Sequence, residues 1–282
     1  MRLILCVLFS FLFVAPSFAA SYPERPIRLV VPLAAGSTPD VQARVLATFL
    51  SQELGTPVIV INKPGAAGEI ASRYVAQANP DGYTLLASAL GFLVIQPLID
   101  GVEIPLEPIA TVFDFDTFLV TRADRFASGE AVIAAARRDH MTFGSMGVGT
   151  VPYMEAKIFQ KQHGIFMQFI PYTAIGTMLA DLTRGDIHTV FVAGPAILSI
   201  RDDPQFNKVK VGEPAWSILV GPVGLPPAVI KRLEQAMDKF SSSAIGRQAA
   251  AIWSTAHVRT GPDLKKFLGE SRVFWKNALD SK

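Results

Sequence analysis

The chain has almost no cysteine: Cys6 is the single thiol among its 282 residues. It lies in an apolar stretch, Leu3–Val14, that follows Arg2 and precedes a run of small residues. A short basic end, an apolar middle and a small-residue cleavage site are the three parts of a secretory signal peptide. We therefore predict export, with cleavage after Ala19 or Ala20. The mature chain would then have no disulfide and no thiol nucleophile.

The apolar part of this leader is shorter than the roughly 20 residues that a bilayer-spanning helix requires. A membrane anchor is the alternative interpretation of the segment. A lipoprotein signal would place a cysteine at the cleavage point, whereas Cys6 lies near the start of the leader. We take residues 1–20 as the signal peptide and expect a soluble protein of an extracytoplasmic space, most simply a bacterial periplasm.

An excess of one charge is also lacking. The net charge is +2, with 26 basic and 24 acidic residues mixed along the chain, and no run of lysine and arginine would follow a phosphate backbone. Nucleic acid is therefore excluded as a partner. Half of the residues are hydrophobic, so the chain can bury a core of one large or two medium domains.

Motifs of nucleotide and ester chemistry are missing. The chain has no phosphate loop, and Gly147-Val148-Gly149 lacks the third glycine of a dinucleotide fingerprint. Ser145 comes close to a nucleophile elbow, but Phe143 replaces its first glycine. The histidines lack metal-ligand spacing with one another or with cysteine: His140, His163, His188, His257. We predict no catalytic residue, metal or cofactor, and keep an exported hydrolase as an alternative to a binding protein.

What the sequence does contain is a regular alternation of strands and helices. Apolar, β-branched runs predict strands at Ile27–Pro32, Val58–Ile61, Tyr83–Ala87, Asp116–Thr121, Met141–Gly144, Met167–Tyr172, Ile187–Ala193 and Trp216–Gly221. Helical periodicity predicts helices at Pro39–Leu54, Glu69–Ala78, Ser128–Arg138, Val151–His163 and Ile175–Arg184, then a helical tail with breaks near Gly246 and at Gly261-Pro262. The pattern restarts halfway, which indicates two α/β lobes with parallel sheets and a cleft between them.

Two strand-to-helix loops consist almost entirely of small residues, Ala34–Thr38 and Gly144–Thr150. Thr38 and Thr150 stand at the expected N-cap positions, and a proline follows in each first helical turn. The first N–H groups of a helix lack internal partners, and the helix dipole makes that end positive. Small residues let a ligand approach these groups, so each loop predicts an anion site built from backbone.

The strength of such a site depends on the number of loops. Each helix end contributes about 0.3–1 kcal/mol, and charge-assisted hydrogen bonds roughly 1.5–3 kcal/mol each. Two loops closing on a small carboxylate would reach micromolar affinity, about −8 kcal/mol. The alternative is that the loops only pack tightly. Asp40 is likewise open to two interpretations: it complements the dipole of its helix, or it accepts a hydrogen bond from a ligand hydroxyl, ammonium or bound water.

Several stretches match a known family in order and combination: "YPERPIRLVVPLAAGSTPDVQAR", "GTPVIVINKPGAAG", "ANPDGYTLL", "FGSMGVGT", "IPYTAIGTMLADLTRGDI" and "WSILVGPVGLPPAVIKRLEQAM". The chain resembles the substrate-binding proteins of tripartite tricarboxylate transporters, which are periplasmic receptors for small carboxylates. The resemblance implies a two-lobed α/β fold of type II periplasmic binding proteins, with a ligand cleft and two crossover segments near Asp116–Thr121 and Trp216–Gly221. We expect lobe 1 to comprise residues 21–118 and 216–282, and lobe 2 residues 119–215.

The resemblance also implies which residues contact the ligand. Backbone amides of both small-residue loops would hold the carboxylate: Ala35, Gly36, Ser37, Thr38 and Asp40 in the first loop, and Ser145, Gly147, Val148, Gly149 and Thr150 in the second. Loops at other carboxyl ends of the sheet add Gly68, Ser88 and Tyr172, for which turn or packing roles are equally open. The expected partners are a carboxylate and the membrane subunits of a transporter, or alternatively a membrane sensor. A monomer is the default state.

Overall fold

A computed structural model describes residues 22–148, 150–253 and 256–280. The predicted signal peptide lies outside these ranges. None of the helices within them combines the length and apolarity needed to cross a membrane.

The described residues form a mixed α/β structure. The strands are β1 Ile27–Val31, β2 Val58–Asn62, β3 Thr84–Ala89, β4 Leu106–Arg122, β5 Met141–Ser145, β6 Met167–Pro171, β7 Thr189–Ala193 and β8 Phe206–Pro222. The helices are α1 Thr38–Leu54, α2 Glu69–Ala76, α3 Gln96–Asp100, α4 Gly129–Ala136, α5 Val151–His163, α6 Ile175–Arg184, α7 Pro227–Asp238, α8 Ala244–Trp253 and α9 Gly261–Asp280. Short helical turns cover Ala66–Gly68, Gly91–Ile95 and Gly194–Ile200.

Most predicted elements are confirmed, and α5 and α6 have the predicted bounds. The predictions for β4 and β8 were wrong in length, since each strand has 17 residues. The first half of β8, "FNKVKVGEPA", is partly exposed and therefore lacks the apolar run by which a strand is recognised. The helical turns between residues 91 and 100 were not predicted.

The predicted break near Gly246 is confirmed, and it lies a few positions earlier, at residues 239–243. Gly246 itself lies inside α8. A side chain at Gly246 would collide with the backbone carbonyl of Phe240. This glycine therefore permits close backbone packing rather than ending a helix.

One sheet runs through the whole molecule in the order β2-β1-β3-β8-β4-β7-β5-β6. The strands β1, β2 and β3 are parallel and form one side, while β5, β6 and β7 are parallel and form the other. The long strands β4 and β8 are antiparallel to each other and belong to both sides, with three irregularities in their register. They are the two connections between the lobes of this two-lobed fold.

Helices cover both faces of each half of the sheet. In β1, Leu29 and Val31 belong to one buried cluster and Val30 to the other, as alternation along a strand requires. In lobe 2, the adjacent residues Leu119 and Val120 likewise belong to two different buried clusters, one on each face of the sheet. Burial on both faces explains why these strands read as continuous apolar runs.

Candidate functional site

The sheet register directs the carboxyl ends of the parallel strands in both lobes towards the same stretch of the molecule. In lobe 1, the last residue of β3, Ala89, pairs with Ser217 of β8. In lobe 2, the last residue of β7, Ala193, pairs with Thr117 of β4. Between these two pairs lie only residues 112–116 of β4 and 212–216 of β8. The loops that leave β1 and β5 at their carboxyl ends therefore open towards the interlobe cleft from opposite sides.

The first loop makes a tight turn before α1. The backbone N–H of Ser37 donates to the carbonyl of Ala34 at 3.2 Å, and its hydroxyl donates to the same carbonyl at 2.7 Å. Ser37, with extended backbone, is the N-cap residue of α1, and its side chain makes no capping hydrogen bond. The prediction that Thr38 is the N-cap was wrong by one position, since Thr38 is already the first helical residue.

The second loop repeats this turn before α5. The backbone N–H and the hydroxyl of Thr150 donate to the carbonyl of Gly147 at 3.3 Å and 2.8 Å. Thr150 is the N-cap residue, as predicted, but its hydroxyl points back into the loop instead of capping the helix. Gly147 has φ +117°, which favours glycine at this position. Gly149 lies outside the described residues.

The shared turn leaves both helix beginnings open. In α1, the N–H groups of Thr38 and Asp40 find no acceptor among the described residues. In α5, the same holds for Val151 and Tyr153, and for the loop residue Val148, whose side chain is exposed. A serine or threonine at an N-cap ordinarily accepts one of these hydrogen bonds. Because the hydroxyl is turned away, the groups remain available to a bound anion.

Asp40 holds the first loop in place. Its buried carboxylate accepts hydrogen bonds from the backbone N–H of Gly36 at 2.9 Å, from Arg44 through two nitrogens at 2.9 and 3.0 Å, and from Asn62 Nδ2 at 2.8 Å. The bond to Arg44, together with those from Gly36 and Asn62, lowers the pKa of Asp40 to about 2. With its oxygens occupied inside the protein, Asp40 fits the role of loop support better than that of a ligand contact.

The hydrogen bond between Gly36 and Asp40 changes the prediction that Gly36 binds the ligand. Its N–H donates to Asp40 and is not free for a ligand, although the residue is exposed and has φ +82°. The exposed Ala35 keeps an N–H without an acceptor among the described residues. In the first loop, the available donors are therefore the N–H groups of Ala35, Thr38 and Asp40.

Four buried side chains near the interlobe stretch have a polar atom without a partner among the described residues: Gln42 Nε2, Ser88 Oγ, Thr117 Oγ1, Ser145 Oγ. Such atoms are uncommon in protein interiors because an unmet hydrogen bond is costly there. Ser145 ends β5 at the second loop, and Thr117 ends the pairing of β4 with β7. Ser88 and Gln42 line a small cavity of about 20 Å³ behind the first loop.

Two further predicted residues have internal roles. The hydroxyl of Tyr172 donates to Asp181 Oδ2 at 2.7 Å, and burial and this contact raise its pKa. Gly68 is buried with φ +87°, and a side chain there would collide with the ring of Phe92. Both contacts favour the packing interpretation that the sequence left open.

The sequence interpretation missed three polar residues at this site: Gln42, Thr117 and Glu155. Gln42 and Glu155 lie on the buried faces of α1 and α5, so helical periodicity could have identified them as polar residues turned inwards. Thr117 lies within the predicted strand Asp116–Thr121, where alternation places it on the same face as the buried Leu119. Within the described ranges, no group of three or more histidine, aspartate or glutamate side chains could hold a metal ion.

Comparison with known proteins identifies the family. Residues 42–207 match the profile of the tripartite tricarboxylate transporter family receptor. The protein BugT of Bordetella pertussis is 30% identical over 298 aligned positions, which cover 94% of this chain and 91% of BugT. A UPF0065 protein of Cupriavidus necator is 32% identical over 269 positions, covering 84% of this chain and 81% of that protein.

Solved structures share the fold. A structure of the periplasmic binding protein BugD superposes with a TM-score of 0.75 at 22% identity, covering 91% of this chain and 97% of BugD. An R. palustris protein solved with adipate gives a TM-score of 0.80 at 22% identity, covering 91% and 97%. MatC from Rhodopseudomonas palustris, solved with bound malate, gives 0.76 at 18% identity, covering 92% and 100%. The chain therefore belongs to the tripartite tricarboxylate transporter receptor family, a family of periplasmic solute-binding proteins.

Proposed function

We propose that the protein captures a small carboxylate in the cleft between its lobes and delivers it to the membrane subunits of a tripartite tricarboxylate-type transporter. The ligand carboxylate binds backbone N–H groups at the beginnings of α1 and α5. The observation that carries the proposal is the shared turn, in which the N-cap hydroxyls of Ser37 and Thr150 bond to loop carbonyls and leave both helix ends uncapped.

The unpartnered hydroxyl of Ser145 supports this placement. It is fully buried at the end of β5, directly before the second loop, and would gain a hydrogen bond from a ligand or a water held with the ligand. Ser88 stands at the corresponding end of β3 in lobe 1. Each lobe thus offers a helix beginning and a buried hydroxyl on its cleft side.

The ligand class follows from the charge of the site. Uncapped N–H groups and positive helix ends favour an anion. Arg44, one turn after Asp40 in α1, already pairs with this carboxylate. A carboxylate bound by backbone N–H groups is therefore favoured over a phosphate bound by an arginine side chain. Related proteins solved with adipate and malate support a small dicarboxylate, while aromatic and nicotinate-like acids and acidic amino acids fit the same donors.

Binding requires the lobes to close around the ligand. We place the hinge in residues 112–116 of β4 and 212–216 of β8, where the two strands pass from one half of the sheet to the other with irregular register. Rotation about these segments would bring the second helix beginning onto a carboxylate already held by the first. The lobe boundaries at residues 118 and 215 remain a prediction, as do export by cleavage of residues 1–20 and the monomeric state.

Isothermal titration calorimetry of the exported, processed protein against a panel of carboxylates tests the function. The panel contains malate, adipate, benzoate, nicotinate and glutamate, each with the compound in which its carboxyl groups are converted to amides as the control. We expect one class to bind in the micromolar range and its amide to bind at least tenfold more weakly. Equal affinity for acid and amide, or the absence of binding by the whole panel at millimolar concentration, would contradict the proposal.

A further inference from the structure

A single carboxylate interrupts the buried face of α5. Glu155 is only 1% exposed and lies one helical turn after Val151 and one before Phe159, both of which are buried in the core. Charged side chains are almost never buried without a partner. The carboxyl group must therefore have a specific purpose at this position.

The contacts of Glu155 are with the crossing segment of β8. Its Oε1 accepts a hydrogen bond from the backbone N–H of Glu213 at 3.2 Å. Its carboxyl group also occupies the space in which Gly212 would carry a side chain. Gly212 has φ +66°, so both its backbone conformation and the carboxyl group against it require glycine. The carboxyl of Glu155 is thus wedged into an irregular point of the strand.

This wedge lies where the lobes are connected. Gly212 and Glu213 follow Val211, which pairs with Thr117 of β4 at the point where β7 ends. They precede Trp216, whose neighbour Ser217 pairs with Ala89 of β3. The same end of α5 begins at the second small-residue loop. One helix therefore connects the proposed ligand site to the hinge, since Glu155 follows the N-cap residue Thr150 by five positions, or about 7.5 Å.

We propose that Glu155 is a positioning residue. Its carboxyl group fastens the anion-binding end of α5 to the crossing segment of β8, and ligand binding is linked to the protonation of this carboxyl. The inference rests on the proposed carboxylate site at the beginning of α5.

Electrostatics set the direction of this linkage. Burial, and to a smaller extent the charge of Glu213, raise the pKa of Glu155 to about 7, against the opposing hydrogen bond from the Glu213 N–H. The crossing strands also carry the ion pair of Lys210 with Asp116 and, on β4, Asp114 paired with Arg259 and His257. The strand β7 has no charged residue. A ligand carboxylate at the same helix would repel an ionised Glu155 and raise its pKa further. Ligand affinity therefore falls as the pH rises through 7.

Calorimetric titration with adipate and with benzoate between pH 6 and pH 8 tests the linkage, because benzoate is ionised throughout and adipate keeps at least one ionised carboxyl group. We expect the wild-type dissociation constant to rise about three- to tenfold over this range, since one unit of pKa shift corresponds to a factor of ten. Glu155→Gln keeps an oxygen for the Glu213 N–H and cannot ionise. Its dissociation constant should stay level and within about threefold of the wild-type value at pH 6.

Glu213→Gln is the matched control. It removes the neighbouring exposed charge and keeps Glu155, so the pH dependence should persist with its midpoint at a lower pH. The inference would be overturned if the wild-type dissociation constant did not change with pH. It would also be overturned if the dissociation constant of Glu155→Gln changed with pH as much as that of the wild type.

A ligand-free measurement separates this inference from the proposed function. Carbon-13 NMR of the glutamate carboxyl groups should show one signal that titrates near pH 7 and is missing from Glu155→Gln. If neither probe binds the wild type, the proposed binding function fails for these ligands, and the NMR titration still decides on Glu155. A midpoint at the ordinary value of an exposed glutamate would exclude the buried wedge.

Discussion

At the scale of single residues, Asp40 illustrates how a buried carboxylate can support the proposed anion site without contacting the anion itself. Its carboxylate joins the N–H of Gly36, the guanidinium of Arg44 and the amide of Asn62. These contacts fix the loop from which the proposed ligand donors project. Because Arg44 neutralises the carboxylate, Asp40 need not repel a ligand carboxylate at the beginning of the same helix.

Asp40→Asn should lower the free energy of unfolding at pH 7 by about 1–3 kcal/mol, because bonds to a charged acceptor are lost. The pKa of Asp40 is depressed to about 2, so its contribution is present above the ordinary aspartate range. That contribution disappears as the pH falls from about 4 to 2, where wild type and variant should converge. Chemical denaturation across this range provides the measurement.

The exposed ion pair of Arg122 with Asp124 offers a matched control. Asp124→Asn should change the unfolding free energy much less, because water screens an exposed pair. If Asp40→Asn proves as mild as Asp124→Asn, the supporting role of Asp40 is wrong.

At the scale of elements, the two helix beginnings matter more than their individual side chains. The helices α1 and α5 both start after a turn in which the N-cap hydroxyl donates to a loop carbonyl. The following backbone N–H groups are therefore not capped by that hydroxyl. The glycine at the second turn, Gly147, has open space where a side chain would stand. A ligand can use this space, and a side chain would block it.

Gly147→Val should weaken carboxylate binding at least tenfold by covering the backbone donors, as measured by calorimetry. The strained φ of +117° should also cost about 1–3 kcal/mol of stability. Gly164→Val is the matched control at the opposite end of α5, where φ is +60° and a side chain also meets open space. The control should lose comparable stability and retain binding. Equal binding by both variants would refute the assignment of the second loop.

At the scale of the whole molecule, the continuous sheet defines how the lobes can move. The lobes share β4 and β8, and the register between these strands is irregular where they cross. Regular strand pairing on either side makes each lobe a stiff unit, so bending concentrates at the irregular stretch. Closure is therefore expected to be a rotation of two bodies about a short hinge.

The near absence of cysteine makes this motion measurable. Fluorophores on Gln52→Cys in α1 and Lys161→Cys in α5 label the far ends of helices in different lobes, and both positions are exposed. Energy transfer between them should change when the carboxylate identified by calorimetry is added. A pair within lobe 2, Lys161→Cys with Thr177→Cys, should not respond. An unchanged signal from the interlobe pair at saturating ligand would rule out closure.

Much of the fold could be predicted because its signals are local. The helices α5 and α6 were bounded correctly from apolar periodicity, and in the structure both end at a left-handed glycine, Gly164 and Gly185. The short parallel strands were recognised because both of their faces are buried. The length of β8 was not predictable in this way, since its first half is exposed and reads as polar.

The candidate site was predictable only in part. Small residues before a helix identified both loops, because a ligand can approach the backbone closely only where the side chains are small. Which N–H groups remain free was not predictable. The answer depends on Asp40 reaching back to Gly36, and on Thr150 donating to Gly147 instead of capping α5.

The class of the protein could be predicted from features that depend on neighbours along the chain: alternating strands and helices, two loops suited to an anion, and the resemblance that the family comparison confirms. Two features required the folded structure, namely that both loops open towards one interlobe stretch and that Glu155 is wedged against Gly212. Such contacts join residues tens of positions apart, and their energies depend on burial, which no local pattern of residues specifies.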